Sequence, residues 1–366
     1  MKNIVYKSII MASLIIGFSG CNKWLEPTTK NFDIPLTKIA KDDAYYKALR
    51  EYKASKHSVS FGWFSEWNEG KVSTSAMLSA VPDSMDIISL WNNAHLTPTK
   101  KADLDFVTKV KGTKVVLCSF IAEVGVMFTP KEHSGTVEAM QKYWGWKNGD
   151  EEAIHNSIKK WAKTVADSLN TYGFSGIDID YETSEYGGSL CRSNKYFKWF
   201  VEEMGKYIGP QSGTDKLFII DGYFWSIPNP NEIGKYFNYF VEQAYKNNGF
   251  WLDRRISDHY KVFSSLMSEE EYTGKCIFTE NLESAIDCLN GGYGWTDAQG
   301  HRWDVKEMPS LVGFADFEPA NGFRKGGFGA FRFSNESVNN PPYKWMRKAI
   351  QQQNPAPGYK KISKKK

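Results

Sequence analysis

The chain has 366 residues, a formal net charge of only +4 and a hydrophobic content of 41%, which is enough for a large core. The basic excess gives no reason to expect a nucleic-acid partner, because the C-terminal tail alone carries more lysines than the net charge: Lys360, Lys361, Lys364, Lys365 and Lys366. The length fits either two domains or one α/β barrel with insertions.

The first 21 residues have the pattern of an export signal. Lys2 and Lys7 precede an apolar run over residues 9–18, which is too short to span a bilayer. The run ends in Phe-Ser-Gly before Cys21, and this ending resembles the bacterial lipoprotein box, in which the cysteine becomes the lipidated first residue. An ordinary cleaved signal is the alternative. We therefore predict an exported outer-membrane lipoprotein, held only through Cys21, on the cell surface or the periplasmic face.

From residue 57 onward, short β-type runs alternate with helical stretches. Eight runs are predicted strands: His57–Phe64, Ser84–Leu90, Lys114–Phe120, Gly176–Glu182, Lys216–Tyr223, Tyr239–Tyr245, Lys275–Thr279 and Gly327–Phe333. Eight strands with helices between them indicate an α/β fold, a single-domain (β/α)8 TIM barrel. Pro228 and Pro230 argue against a regular helix between the fifth and sixth strands. The predicted segments are a signal (1–21), a tether (22–54), the barrel (55–347) and a basic tail (348–366).

Three acids alternate in the fourth predicted strand. Residues 174–182 read F-S-G-I-D-I-D-Y-E, and alternate side chains of a strand share a face, so Asp178, Asp180 and Glu182 lie about 7 Å apart from one to the next. Such crowding weakens a sheet, but it can keep one acid protonated beside an ionised neighbour. Two other interpretations stay open here, a solvated strand end and a site for a hard cation.

Helical patterns on both sides place the acids at the C-terminal end of their strand, where (β/α)8 barrels carry their active sites. Apolar residues recur at helical spacing before the strand (Ile154, Ile158, Trp161, Val165 and Leu169) and after it (Tyr196, Phe197, Trp199, Phe200, Met204 and Ile208). Gly173 suits the end of the first helix. A last helix is predicted over Lys344–Gln352.

The remaining cysteines give no sign of a metal site. Cys118, Cys191, Cys276 and Cys288 form no C-x-x-C pattern and have no histidine at metal-binding spacing. No cofactor is expected. An exported protein can form disulfides, and the sequence leaves open whether Cys276 and Cys288 pair.

The acidic run and the barrel pattern around it resemble glycoside hydrolase family 18. The family signature, D-G-x-D-x-D-x-E at the end of the fourth strand, is matched by S-G-I-D-I-D-Y-E, so Ser175 replaces the first acid. A second match lies on the predicted sixth strand in F-V-E-Q-A-Y, where Gln243 and Tyr245 correspond to a Q-x-Y pair of the endo-β-N-acetylglucosaminidase branch. The resemblance covers roughly residues 55–347.

The resemblance implies a retaining reaction in which the substrate's own 2-acetamido oxygen attacks the anomeric carbon, giving an oxazolinium intermediate. Glu182 would protonate the departing oxygen and then activate water. Asp180 would orient the acetamido N–H, and Asp178 would share a proton with Asp180. Gln243 and Tyr245 would hold the acetamido carbonyl, although barrel packing also explains both.

Ser175 is the departure from the family pattern, because the acid at its position belongs to the buried network beneath the others. Serine cannot buffer a proton, so we expect a shifted pH profile or a lower rate. The broken signature also keeps open a protein that binds glycans without cutting them.

The resemblance also implies the substrate. It favours N-linked glycans or glycoproteins, cleaved between the two core N-acetylglucosamines, with chitin oligosaccharides as the alternative. The Q-x-Y pair and the short segment between strands seven and eight support this choice. Rings at predicted strand ends are candidates for sugar subsites or for plain packing: Trp63, Trp67, Trp91, Tyr223, Trp225 and Trp251. A monomer is expected.

Overall fold

In the computed structural model, which describes residues 41–65, 67, 77–91 and 96–363, eight parallel strands close into a barrel. The strands are β1 (Val59–Phe64), β2 (Ile87–Trp91), β3 (Lys114–Phe120), β4 (Gly176–Tyr181), β5 (Leu217–Gly222), β6 (Tyr239–Gln243), β7 (Cys276–Asn281) and β8 (Gly327–Phe331). Each strand pairs with the next in the chain, and β8 closes on β1. The predicted (β/α)8 barrel is confirmed, and the predicted strand ends differ from the observed ones by no more than three residues.

Helices lie in most connections between successive strands, before β1 and after β8. They are α1 (Asp43–Ala54), α2 (Pro98–Asp105), α3 (Val137–Trp144), α4 (Glu151–Tyr172), α5 (Thr183–Tyr186), α6 (Asn194–Met204), α7 (Pro230–Ile233), α8 (Gly249–Phe263), α9 (Glu269–Lys275), α10 (Ala285–Asn290), α11 (Ser310–Asp316) and α12 (Lys344–Gln353). Between β5 and β6 the chain forms α7 and two short 3₁₀ turns, as the two prolines predict. One compact unit begins at Tyr46 and contains the barrel.

Helix α4 delivers the chain into the acidic strand. The Asp150 side chain caps its first turn by accepting a hydrogen bond from the Ala153 N–H at 3.0 Å. Gly173 ends the helix at φ 86°, a left-handed conformation that glycine adopts without a steric penalty. The predicted apolar stripe is buried, and Trp161 stacks on Phe200 of α6 with ring centroids 5.2 Å apart. This packing fixes the strand between two covering helices.

The two faces of the strands contribute side chains to two separate apolar clusters. Phe61, Ile87, Val116 and Ile277 belong to an apolar cluster inside the barrel. A larger cluster packs between the strands and the helices. Residues of β4 therefore face either the barrel interior or the helices, according to parity.

The lipidation prediction lies outside the described part of the chain, since Cys21 and residues 1–40 precede it. The other four cysteines (Cys118, Cys191, Cys276 and Cys288) are buried and free, so Cys276 and Cys288 form no disulfide. Across the described ranges, no helix has both the length and the apolar character that a bilayer crossing requires. Helix α12 extends to Gln353, six residues into the segment predicted as the tail.

Candidate active site

Strand β4 points its acids into the barrel and toward its C-terminal mouth. The Asp178 side chain lies deepest and is 1% exposed, Asp180 is 5% exposed, and Glu182, just past the strand, is half-buried. The alternating pattern in the sequence thus becomes a column of carboxyls that rises from the barrel interior to an accessible end. The solvated-strand interpretation is wrong, because two of the three acids are buried.

Asp178 accepts hydrogen bonds from side chains of β1 and β2, across the barrel interior. The Trp63 indole Nε1–H donates to its Oδ2 at 3.0 Å, and the Ser89 hydroxyl donates to the same oxygen at 2.7 Å. Burial raises the pKa of Asp178 to about 6, and hydrogen bonds from Ser89, Asp221 and Trp63 oppose that rise. These donors stabilise the ionised form, so Asp178 is the carboxyl of this group best suited to carry a negative charge.

Asp180 is the carboxyl best suited to remain protonated. Burial, together with the charges of Glu182 above it and Asp178 below it, raises its pKa to about 8. Asp180 therefore holds a proton near neutral pH, between two acids that compete for that proton.

A fourth carboxyl belongs to the cluster, and it was not predicted from the sequence. Asp221 lies on β5 directly beside Asp180 in the strand register, and its side chain is fully buried. Burial raises its pKa well above the ordinary range, and the charges of Asp180 and Asp178 add to this effect. It is an isolated acid in an apolar run, so only the strand pairing brings it to the others.

Gln243 on β6 links the buried and accessible acids. Its side-chain Nε2 donates to Glu182 Oε1 at 3.1 Å and to Asp221 Oδ1 at 2.9 Å. Both N–H groups of this amide are therefore used within the cluster, and a substrate carbonyl would have to compete for one of them. Tyr245, two residues on, is half-buried, and burial together with the charges of Asp221 and Asp180 raises the pKa of its hydroxyl well above the usual range.

Trp63 does not form a sugar-facing surface, in contrast to its prediction as a substrate-binding residue. It is 1% exposed because β1 places it inside the barrel, where its indole N–H supports Asp178. Trp67 is buried as well, and its indole N–H donates to Asp103. A ring at a predicted strand end can lie below the mouth as well as at it, and the sequence does not distinguish these depths.

Of the other four predicted rings, Trp91 and Tyr223 lie at the C-terminal ends of strands, whereas Trp225 and Trp251 lie against or on helix α8. Trp91 ends β2 and is partly exposed, and Tyr223 follows β5 with its hydroxyl 3.4 Å from Glu185. Trp225 stacks on the His259 ring with centroids 4.1 Å apart. Trp251 is 54% exposed in the first turn of α8.

Three further aromatic rings were not singled out by any sequence pattern. Phe331 at the end of β8 lies 6.2 Å from both the Trp91 and Tyr245 ring centroids. Phe120 ends β3 and stacks on the exposed Tyr186 at 4.0 Å. Flat, partly exposed rings around a set of carboxyls suit the faces of sugar rings.

Ser175 lies outside the acid cluster. It precedes Asp178 by three residues, an odd separation, so its side chain has the opposite parity. Its hydroxyl accepts a hydrogen bond from the Val115 N–H at 3.1 Å, at the N-terminal end of the strand pair. Ser175 therefore supports the strand pair at its N-terminal end, and the expected effect of this serine on the pH profile or the rate stays a prediction.

The donor set does not suit a hard cation. Cys118, Asp178 and Asp221 present ligand atoms within 4.8 Å of one another, and all three residues are buried. Burial raises the pKa of the Cys118 thiol well above its ordinary value, and the neighbouring Asp178 charge adds to this, so the sulfur stays protonated. Oxygen ligands are what hard cations prefer, and Asp178 is already bonded by Trp63 and Ser89.

Comparisons with known proteins identify the family of the chain. A model of glycoside hydrolase family 18, BT1044-like, matches residues 31–352. Endo-beta-N-acetylglucosaminidase F2 of Elizabethkingia meningoseptica is 26% identical over an alignment of 302 residues, and the alignment covers 79% of this chain and 77% of that protein. Endo-beta-N-acetylglucosaminidase EndoS of Streptococcus pyogenes serotype M1 is 24% identical over an alignment of 330 residues. The alignment covers 78% of this chain but only 30% of EndoS.

Solved structures share the fold. A selenomethionine form of BT1044 with a glutamate-to-glutamine change superposes with a TM-score of 0.70 at 27% identity, covering 85% of this chain and 92% of BT1044. The endo-beta-N-acetylglucosaminidase of Cordyceps militaris in apo form gives a TM-score of 0.59 at 20% identity, with 86% and 97% coverage. A double mutant of that enzyme was solved with fucosyl-N-acetylglucosamine-Asn, and it gives a TM-score of 0.58 at 18% identity, again with 86% and 97% coverage.

Proposed function

The chain belongs to glycoside hydrolase family 18, and from its site we propose that it is an endo-β-N-acetylglucosaminidase that cuts N-glycans between the two core N-acetylglucosamines. One observation carries the proposal. Two buried acids of β4, an accessible Glu182 and Gln243 of β6 converge at one mouth, with Gln243 bonded to Glu182 at 3.1 Å. The catalytic acids and the Q-x-Y pair thus form one site.

Glu182 is the proton donor in this scheme. It is the half-buried member of the acidic column, whereas Asp178 and Asp180 lie below it and are almost fully covered. A general acid must reach the departing glycosidic oxygen, and the position of Glu182 at the mouth permits that contact. After the first step the same group activates water.

The nucleophile comes from the substrate. A protein nucleophile would be a second ionised carboxylate facing the sugar, but burial favours the protonated forms of Asp180 and Asp221. Asp178 is better suited to ionisation, but it is 1% exposed and bonded to Trp63. A 2-acetamido oxygen therefore fills the role, giving an oxazolinium that Asp180 stabilises through the acetamido N–H.

The endoglycosidase choice rests on Gln243 and Tyr245 together with the relatives. EndoS and the enzyme F2 carry the endo-beta-N-acetylglucosaminidase name, and the Cordyceps militaris enzyme binds a sugar joined to asparagine. Gln243 would release one N–H from Glu182 or Asp221 to hold the acetamido carbonyl, and Tyr245 would offer its hydroxyl. The hydrogen bonds within the cluster thus keep Gln243 in place before substrate arrives.

Two other functions are tested by the same experiment. A chitinase would use the same acids on chitin oligosaccharides. A glycan-binding protein without activity was suggested by Ser175, but that residue bonds a backbone amide at the far end of the strand.

The test is incubation with an N-glycosylated protein and, separately, with chitin oligomers, followed by mass spectrometry. We expect a free glycan that ends in one N-acetylglucosamine and a protein that keeps the other N-acetylglucosamine. Release from chitin alone would establish the chitinase, and binding without product from either substrate would establish the binding protein.

We also propose that Cys21 is lipidated and that the protein works as a monomer at the outer membrane. The support is the signal-like pattern at residues 1–21. Expression in a Gram-negative host with labelled fatty acid should mark the protein and place it in the membrane fraction, and Cys21→Ser should remove the label. A wild-type protein that is unlabelled and released would contradict the lipid anchor.

A further inference from the structure

Within the described part of the chain, three oxygens of the buried acids have no nitrogen or hydroxyl donor. They are Oδ1 of Asp178, Oδ1 of Asp180 and Oδ2 of Asp221. A buried carboxyl oxygen without a donor is costly, and three in one cluster require a common explanation. The remaining oxygens of Asp178 and Asp221 are bonded to Trp63, Ser89 and Gln243.

A neighbouring carboxyl can supply the partner that the oxygens of Asp178 and Asp221 lack. Asp221 lies beside Asp180 in the strand register, and one of its carboxyl oxygens lies within 4.8 Å of a carboxyl oxygen of Asp178. Two carboxyl oxygens form a hydrogen bond only when one of them carries a proton. From this geometry we propose that Asp221 is protonated on Oδ2 and donates to Oδ1 of Asp178, which makes Asp221 a positioning residue for the catalytic acids. Its effect on turnover rests on the proposed function.

The hydrogen-bond directions agree with this assignment. Asp178 then accepts from Trp63 and Ser89 on one oxygen and from Asp221 on the other, so it is the natural holder of the negative charge. The second oxygen of Asp221 accepts from Gln243, whose other N–H reaches Glu182. One protonated carboxyl thus connects the bottom of the acid column to the proton donor at its mouth.

The surroundings of Asp221 oppose its ionisation. The groups that face it from β3, β4 and β6 are acidic or neutral: Cys118, Asp178, Asp180, Gln243 and Tyr245. Burial also favours its uncharged form. In the cluster of three, Asp221 and Asp180 hold protons and Asp178 holds the charge.

Infrared spectroscopy of the free protein tests the proton directly. Asp221→Asn keeps an acceptor for Gln243 and gives Asp178 an N–H donor, but it removes the carboxyl. We expect the protonated-carboxyl C=O absorption of the wild-type protein at neutral pH to lose one component in this variant, while the component of Asp180 remains. The matched control is Asp105→Asn, which removes a carboxylate paired with Lys101 and Lys109 and should leave that absorption unchanged. An unchanged absorption in Asp221→Asn would overturn the assignment.

Kinetics test the positioning role. Asp221→Leu has a similar size but no donor, so we expect kcat to fall about a hundredfold, with KM little changed, because the acids lose their geometry. Asp221→Asn should restore most of that loss, to within about tenfold of wild type. Equal loss in both variants would mean that an ionised Asp221 is required, and no loss in either would remove the positioning role.

The two proposals fail separately. If the wild-type protein releases no sugar from any substrate, the endoglycosidase assignment fails while the infrared result still decides whether Asp221 holds a proton. If Asp221→Leu does not fold, the infrared comparison of Asp221→Asn with the wild-type protein still tests the proton on Asp221.

Discussion

Replacing Trp63 by phenylalanine separates a supporting role from a sugar-binding role. The change removes the indole N–H that donates to Asp178 Oδ2 at 3.0 Å and leaves an aromatic ring in the barrel interior. Because Trp63 is 1% exposed, no sugar contact is lost. The structure therefore predicts that kcat falls, because Asp178 loses a hydrogen bond, while substrate binding is unchanged.

The size of the defect follows from the lost bond. A hydrogen bond to a charged group contributes about 1.5–3 kcal/mol. If the catalytic step needs Asp178 ionised and fixed, kcat should fall by about 10- to 150-fold, since each 1.36 kcal/mol is a factor of ten. The Ser89 hydroxyl still donates to the same oxygen, so the residual activity should be measurable.

The matched control is Trp67→Phe. Trp67 is also buried, and its indole N–H donates to Asp103 at the same distance of 3.0 Å, outside the acid cluster. Steady-state kinetics on a glycopeptide and thermal unfolding of both variants form the assay. Both should lose unfolding free energy, and only Trp63→Phe should lose kcat. A raised KM with unchanged kcat, or equal kinetic loss in both variants, would refute the reasoning.

Three further predictions concern the acids and Ser175. Glu182→Gln should lower the rate of sugar release by about 10²–10⁴-fold, while glycan binding measured by calorimetry persists. The control is Glu185→Gln, a change of an exposed neighbouring residue, which should have no such effect. Full turnover by Glu182→Gln would refute the acid assignment. Asp180 has a pKa raised to about 8, so the folded state binds its proton more tightly than the unfolded state does, and the stability this contributes is lost as pH rises from about 4 to about 8. The melting temperature of Asp180→Asn minus that of the wild type should therefore increase as pH rises across that range. A difference that does not change with pH would contradict the raised pKa. Ser175→Ala should keep kcat within about twofold, since its hydroxyl bonds only Val115, and a large loss would return Ser175 to the acid network.

Much of the fold and the central acids could be predicted because their patterns are local. Eight apolar runs indicated eight strands, and the period of two in residues 178–182 placed the acids on one face. The same parity rule excludes Ser175 from that face, since it lies an odd number of residues from Asp178. That exclusion was available in the sequence.

Asp221 and Trp63 could not be placed in the same way. Asp221 follows four apolar residues as an isolated acid, and it reaches the cluster only because β5 pairs with β4 in a register that aligns it with Asp180. Trp63 has the sequence context of a mouth residue, but the strand alignment around the closed barrel sets it below the mouth. Depth in a barrel depends on pairing between distant segments.

The central claim is that the substrate's acetamido oxygen attacks while buried acids guide it. The direct measurement is the rate of cleavage of core glycan analogues whose reacting N-acetyl group carries zero, one, two or three fluorines. Fluorine withdraws electron density from the carbonyl oxygen, so the account predicts a rate that falls steeply with each added fluorine. A rate that is independent of fluorination would show that a protein group or water attacks, and would contradict the account.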